Sequence, residues 1–544
     1  MLDHFEFRQL GHKTLMHKHR GGIDWTRTRS LPSKLDCKRA RVWGYYKIVG
    51  VMKRLPFIAM IFSSLQLCSQ HLSDVWQLGV TLPGIKPAMT FVNGSPEPYI
   101  ETRKLSMFVT NASISDTLGQ LLFYTNGQWI ANRNHDTLSN SENFNPGYAT
   151  DVYYYAGLGI TEGTIIIPKP DTQFLYSLFY VTFEQVEVDD IIITQPLHLS
   201  YSEIDISQDS GMGEMTLKNV LLIEDTLTQG FLTATKHANG RDWWIISHEY
   251  STKRFYGWLL SPDTIEGPFS QWIGIDIDYD AIGQSNFSPD GSKYAMVNYF
   301  QNTVSIFNFD RCTGLFNNAL IDSNFTDLDW LRGCSFSPNS RFLYINNALE
   351  LFQYDTWASD VISSRTKIAD WDSNYNPLAT WFEYSQIASD NKIYINTVNG
   401  CKAMHVINFP DSIGIACNFL QQGLLLPKDS YTIPHFPNYD LGPLTGSPCD
   451  TLYLQAQNSS LQTQNCYRIY PNPASTWLKM VYETQQDALF ELFDLYGRRV
   501  AAVSLYHYFK SRLLDVSKLS EGVYAYSIKN KNEVLQSGKV AVVK

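Results

Sequence analysis

The chain has 544 residues, of which 18% are charged and 14% aromatic, with 32 tyrosines, 30 phenylalanines and 13 tryptophans. So much ring surface fits pleated, half-buried strands and points to an all-β chain of more than one domain. The formal charge of -10 is uneven: residues 1–70 carry 13 Lys and Arg against 4 Asp and Glu, and the remainder 30 against 49. A body that acidic lacks the basic footprint of nucleic-acid binding, so no nucleic-acid partner is expected.

Residues 1–51 are basic and aperiodic, and read as a leader preceding a start at Met52. Residues 52–70 read as a signal peptide: Lys53 and Arg54 form a positive start, Leu55 to Leu67 an apolar stretch, and Ser69 and Gln70 a small polar close. A dozen apolar residues are too few to anchor in a bilayer. Leu67 is not the small residue that lipidation at Cys68 requires.

Residues 71–448 show short apolar runs cut by Gly, Asn, Asp and Pro, with no long helical period. These are strand signals. One unit recurs: Asn286-Phe287-Ser288-Pro289-Asp290-Gly291-Ser292-Lys293-Tyr294 returns as Ser335-Phe336-Ser337-Pro338-Asn339-Ser340-Arg341-Phe342-Leu343-Tyr344. Weaker copies run from Ile387 to Tyr394 and from Thr233 to Trp244. Pro presets the turn, and Gly or Asn tolerates its left-handed position. A spacing of about 50 residues is the size of a four-stranded propeller blade. The body is therefore expected to be a β-propeller of seven blades (six to eight). The Ser-Pro-Asp-Gly signature resembles the WD40-like (PD40, TolB-type) repeat, which implies fold more than activity.

Residues 449–466 read as a linker. Residues 467–544 then form a small β module, opened by Pro471, Asn472 and Pro473 and continued by turns at Gly497 and Gly522. Tyr524, Gly538 and Lys539 complete the pattern. Six or seven short strands in this length suggest an Ig-like β-sandwich. The set, in this order, resembles the C-terminal sorting domain of type IX secretion (Por) proteins of Bacteroidota. That resemblance implies Sec export, recognition by the type IX machinery, and delivery to the cell surface or the medium. It also implies removal of the domain, with attachment of the body to surface lipopolysaccharide or release. Asp-Ser/Thr-apolar triplets such as Asp116-Thr117-Leu118 and Asp225-Thr226-Leu227 resemble the O-glycosylation acceptors of the same phylum.

An exported body with six cysteines suggests disulfides. Sequence proximity pairs Cys312 with Cys334, Cys401 with Cys417, and Cys449 with Cys466. No local catalytic signature is present: no G-x-S-x-G, H-E-x-x-H or P-loop. Asp276, Asp278 and Asp280 have D-x-D-x-D spacing, but Ala281 and Phe287 replace the Gly and Glu of a calcium loop. Calcium is the one cofactor the sequence admits there, against the plainer reading of a solvated strand face. His237, Arg241, Asp242, Trp243 and Trp244 form the densest polar-aromatic cluster and are the candidate binding residues. The expectation is a non-catalytic surface module that binds an extracellular protein or glycan. The alternative is a polysaccharide- or peptide-processing enzyme with its site at the channel mouth.

Overall fold

The computed structural model describes residues 71–544 apart from 81–83, 154–155, 189–190, 278–281, 326–329, 451–465, 484–486, 507–510 and 531–533. The leader, the signal peptide and most of the 449–466 linker lie outside the described residues.

The repeated turn is built by its own side chains. In the copy from Asn286 to Tyr294, Ser288 Oγ donates to Asp290 Oδ1 (2.6 Å) and accepts from the Lys293 amide (2.9 Å). Ser337 and Asn339 repeat this, with Ser337 Oγ accepting from the Phe342 amide at 2.8 Å. The left-handed position falls to Gly291, Ser340 and Asn391 in three successive copies (φ 70°, 63° and 62°). These local bonds turn one strand back onto the next without help from the rest of the fold.

Between Val75 and Ser430 the described strands form seven antiparallel sheets in chain order, plus one inserted two-stranded hairpin. Each sheet begins with a short strand: Val75–Gln77, Ala112–Ser115, Thr164–Pro168, Thr233–Lys236, Ser285–Phe287, Gly333–Phe336 and Phe382–Ile387. Among the described residues the first two sheets have three strands and the other five have four. Opening strands of consecutive sheets neighbour one another from the fourth sheet to the seventh. The last strand, Phe419–Ser430, lies against the first sheet and closes the circle. This is the β-propeller architecture. The four repeats visible in the sequence are the first hairpins of the fourth to seventh sheets.

Sheets stack face to face because each presents an apolar face to the next. Trp244, Ile246 and Phe255 of the fourth sheet pack on Tyr294, Phe307 and Phe316 of the fifth. Phe342 and Tyr344 of the sixth pack on Phe382, Ile395 and Ile407 of the seventh. Burying one such ring stabilises by roughly 1.5–3 kcal/mol. Near the axis the opening strands run so close that a Cβ at Gly333 would overlap the Glu383 carbonyl oxygen. Buried Gln284 ties three sheets there. Its Nε2 donates to the Ser385 carbonyl (2.7 Å), and its Oε1 accepts from the amides of Cys334 (3.1 Å) and Ser385 (2.9 Å).

The C-terminal module has its own core, from Tyr467 to Val542. Its seven described strands form two sheets, with Trp477–Glu483 central in one and Ala488–Phe493 beside Gly522–Lys529 in the other. Both sheets feed that core through Leu478, Met480, Phe490, Leu492 and Ile528, as in a small sandwich.

Candidate functional site

After its last sheet the propeller chain does not leave the molecule. Residues 431–442 cross the opening strands of the other sheets. Thr432 Oγ1 donates to the Val109 carbonyl (2.7 Å), and the His435 amide donates to the Asn111 carbonyl (3.2 Å). The Phe436 amide donates to Gln386 Oε1 (3.3 Å), the Tyr439 hydroxyl to the Ile166 carbonyl (2.8 Å), and Asn438 Nδ2 to the Pro289 carbonyl (2.7 Å). Arg311 then holds the Gly442 carbonyl at 2.6 Å. Ile433, Phe436 and Tyr439 are buried. This strap enters on the face where the opening strands begin and leaves among the Ser-Pro-Asp-Gly turns of the other face. It fills the axis that the sequence reading left open as a channel.

Where the strap meets the sheets lies the most strongly perturbed carboxylate–imidazole pair among the described residues, Glu162 of the body and His435 of the strap itself. Glu162 is buried, and its Oε2 accepts from the Phe231 amide (3.1 Å) and the Ser285 hydroxyl (2.7 Å). His435 Nδ1 lies 3.5 Å from Glu162 Oε1, while its Nε2 is 3.2 Å from Thr233 Oγ1. Burial pushes Glu162 up to about 8 and His435 down to about 4. A protonated carboxyl facing a neutral imidazole is the state that low-dielectric surroundings favour. Both groups are shut away from solvent, so the pair supports the strap and offers no open acid or base. Local motifs gave no hint of it, because its members come from distant parts of the chain.

The five residues singled out in the sequence do come together, on the opposite face from the strap's point of entry. The polar atoms of His237, Arg241, Asp242 and Trp244 are engaged within the protein. His237 Nε2 meets the Cys312 carbonyl (3.1 Å), Trp244 Nε1 donates to the Arg311 carbonyl (2.8 Å), and Arg241 Nε donates to Asp242 (2.7 Å). Trp243 is buried, with its ring 6.1 Å from that of Tyr439. The cluster thus clamps the fifth sheet's Arg311–Gly314 turn and the strap. Asp276 is exposed, and its backbone carbonyl accepts from Gln301 Nε2 (3.1 Å). Asp278 and Asp280 lie outside the described residues.

The cysteine pairing differs from the expected one. Cys312 is bonded to Cys449, 137 residues away, with Cα atoms 5.8 Å apart. Cys334, Cys401 and Cys417 are buried free thiols, so neither Cys312–Cys334 nor Cys401–Cys417 forms. Cys449–Cys466 is excluded because Cys449 is already taken, and the Cys466 side chain lies outside the described residues. The physical reason is the strap: it carries Cys449 back to the fifth sheet's turn, while Cys334 sits in the sixth sheet's opening strand with its thiol on the Gln284 carbonyl (3.2 Å). Closing so long a loop removes chain entropy from the unfolded state. Replacing both Cys312 and Cys449 by serine is expected to lower unfolding free energy by about 2–5 kcal/mol in urea titrations.

On the face where the opening strands begin, a cleft of about 470 Å³ lies over the sixth and seventh sheets. Trp330, Arg332, Leu349, Trp371 and Trp381 line it, with Glu350 and Asp370 at one side. Trp330 stacks on Tyr299 (centroids 6.1 Å apart, planes 12° apart) and is still 40% exposed. Arg332 lies over the same tyrosine at 5.0 Å and 3.5 Å from Glu383. Trp371 is held by its Nε1 on Thr380 Oγ1 (3.1 Å) and meets Trp381 edge-on. The buried Nε1 of Trp381 has no partner among the described residues. Spacing gave no sign of this cleft, because its aromatics sit in connections between sheets, outside the repeated turn.

In the C-terminal module the motif residues have structural tasks. Asn472, between Pro471 and Pro473, bonds the last strand twice: its Nδ2 donates to the Lys539 carbonyl (3.0 Å) and its Oδ1 accepts from the Ala541 amide (2.8 Å). Gly497 has φ 76° in the turn closed by Asp494. Gly538 lies under the Tyr526 ring, where a Cβ would come within 2.7 Å. Gly522 opens the strand on which the Tyr524 hydroxyl donates back to the Ser520 carbonyl (2.7 Å). Residues 468–543 match the family model described as a secretion system C-terminal sorting domain. The chain therefore carries a sorting domain for type IX secretion. The sorting domain addresses the protein to the cell surface or beyond and implies contact with the secretion machinery. Among the described residues no helix is long and apolar enough to cross a membrane.

No curated protein matches the chain. Solved structures with similar traces include a Bacteroides fragilis protein with a provisional 6-phosphogluconolactonase assignment, at 10% identity and a TM-score of 0.37, covering 66% of this chain and 97% of that one. PorZ, a surface component of the type IX secretion system of Porphyromonas gingivalis, is 9% identical with a TM-score of 0.27, covering 87% of this chain and 75% of its own. The periplasmic gluconolactonase of Pseudomonas aeruginosa is 11% identical with a TM-score of 0.28, covering 68% and 96%.

Proposed function

We propose that the protein is a non-catalytic binding module of the cell surface, a seven-bladed propeller whose ligand meets the tryptophan-lined cleft and not the axis. The observation that carries this reading is the strap: a chain segment bonded to five sheets fills the place where a propeller would hold a substrate. The strongly perturbed acid, Glu162, lies beneath it and the base, His435, belongs to it, both buried away from any polymer. The cleft, by contrast, is open and aromatic, and its size falls in the roughly 300–1,000 Å³ range of ligand sites. Its half-buried Glu350 and exposed Asp370 share one cation, Lys367 Nζ being 3.1 Å from Glu350 and 2.7 Å from Asp370.

The test is an array of glycans and extracellular proteins probed with the chain from His71 to Lys544, with and without calcium. Selective retention without change in the arrayed ligand is the expected result. Loss or cleavage of a ligand would contradict the non-catalytic reading. Retention only in the presence of calcium would move attention to the Asp276 region.

A further inference from the structure

We infer that the cleft takes a neutral polysaccharide, with Trp330 as the platform for a pyranose ring. This rests on the binding reading above and names the ligand class. The negative face of an indole attracts the slightly positive C–H face of a sugar ring. Trp330 is prepared for this: Tyr299 supports one side, Arg332 backs the tyrosine, and much of the indole remains exposed. Trp371 and Trp381 supply further ring surface in the same cleft.

Hydroxyl groups need hydrogen-bonding partners, and two carboxylates stand at one side of the cleft. Glu350 Oε1 accepts from Lys367 (3.1 Å) and Asp370 Oδ1 from the same lysine (2.7 Å), and each carboxylate keeps further lone pairs for a sugar hydroxyl. Charge argues for a neutral ligand. Arg332 is offset by Glu383, and Lys367 by Glu350 and Asp370. Thus, among the described residues, no uncompensated cation in the cleft waits for an acidic sugar. An open groove of this kind also suits a polymer that runs past its ends better than an enclosed small molecule.

The experiment is affinity electrophoresis of the His71–Lys544 chain through gels cast with mixed-linkage β-glucan, xylan, mannan or dextran. Alginate and hyaluronate serve as acidic counterparts, and casein as a protein counterpart. Retardation by at least one neutral polysaccharide is expected. It should weaken at least tenfold in Trp330→Ala, survive largely in Trp330→Phe, and be unchanged in Trp357→Ala, an exposed tryptophan (61%) outside the cleft. Near-ultraviolet circular dichroism identifies any variant that has lost its fold, and Trp330→Phe then carries the comparison. Retardation by acidic polymers or casein alone, by no polymer, or equally in Trp330→Ala would overturn the assignment. Reducing ends released during the run would instead contradict the non-catalytic reading, leaving the Trp330 dependence to judge the cleft.

Discussion

Replacing Phe436 by alanine is expected to lower the unfolding free energy of the propeller by about 3–5 kcal/mol. The side chain is 5% exposed at the centre of the strap. Its ring lies 6.2 Å from that of Trp76 in the first sheet and 6.4 Å from that of Tyr439 further along the strap. Its amide donates to Gln386 of the seventh. The methyl left behind would face a void that flanking sheets, fixed by their own ladders, cannot close. Urea unfolding followed by tryptophan fluorescence measures the loss. Phe409→Ala, at a ring that is 57% exposed, should change stability by about 0.5 kcal/mol or less. Equal effects at the two positions would mean that the strap is a surface tail and not part of the core.

The second large effect is electrostatic and appears only as a pH dependence. Burial raises Glu162 from 4.5 to about 8. Between those values the folded chain holds a proton that the unfolded chain has lost, so the native state binds more protons and stability falls as pH rises. Across pH 5 to 8.5 this amounts to about 4 kcal/mol at most. Glu162→Gln removes that contribution, so its stability should decline less than that of the wild type over the same interval. The imidazoles act in the other direction. His248, His405 and His435 are each lowered to about 4 by burial. The unfolded chain binds protons there that the folded chain refuses, so stability is full above pH 6.5 and drops as pH falls toward 4. Urea titrations of both proteins at pH 5, 7 and 8.5 separate the two effects. Parallel curves would mean that Glu162 is already ionised in the folded chain at pH 5, against the rise that burial produces.

What could be read from the sequence follows from what is local. The Ser-Pro-Asp-Gly turns were visible because Ser288 and Asp290, or Ser337 and Asn339, bond within a few residues of each other. The first three sheets lack that signature. The second turns instead at Asp116, whose Oδ1 accepts from the amides of Leu118 and Gln120. The sorting domain was legible for a related reason: Asn472, Gly497 and Gly538 each meet a steric or bonding demand that few residues satisfy. The strap was not legible. Its Pro434, Pro437 and Asn438 look like a connecting loop, and only the closed ring of sheets gives Phe436 a place to be buried. The cysteine pairing failed with it, since nearness in sequence says nothing about a segment that returns through the axis. The His237–Trp244 cluster shows the converse. A dense polar-aromatic run attracts attention, yet His237 and Trp244 hold a neighbouring turn while Arg241 and Asp242 bond each other.

The filled axis is the claim on which the functional reading depends, and hydrogen exchange of the His71–Lys544 chain tests it most directly. The amides of His435 and Phe436, bonded to Asn111 and Gln386, should exchange as slowly as those of the opening strands Ser285–Phe287 and Gly333–Phe336. Exchange as fast as in the exposed Asp372–Tyr375 connection would mean that the strap leaves the axis readily, and would reopen the channel as a site for substrate.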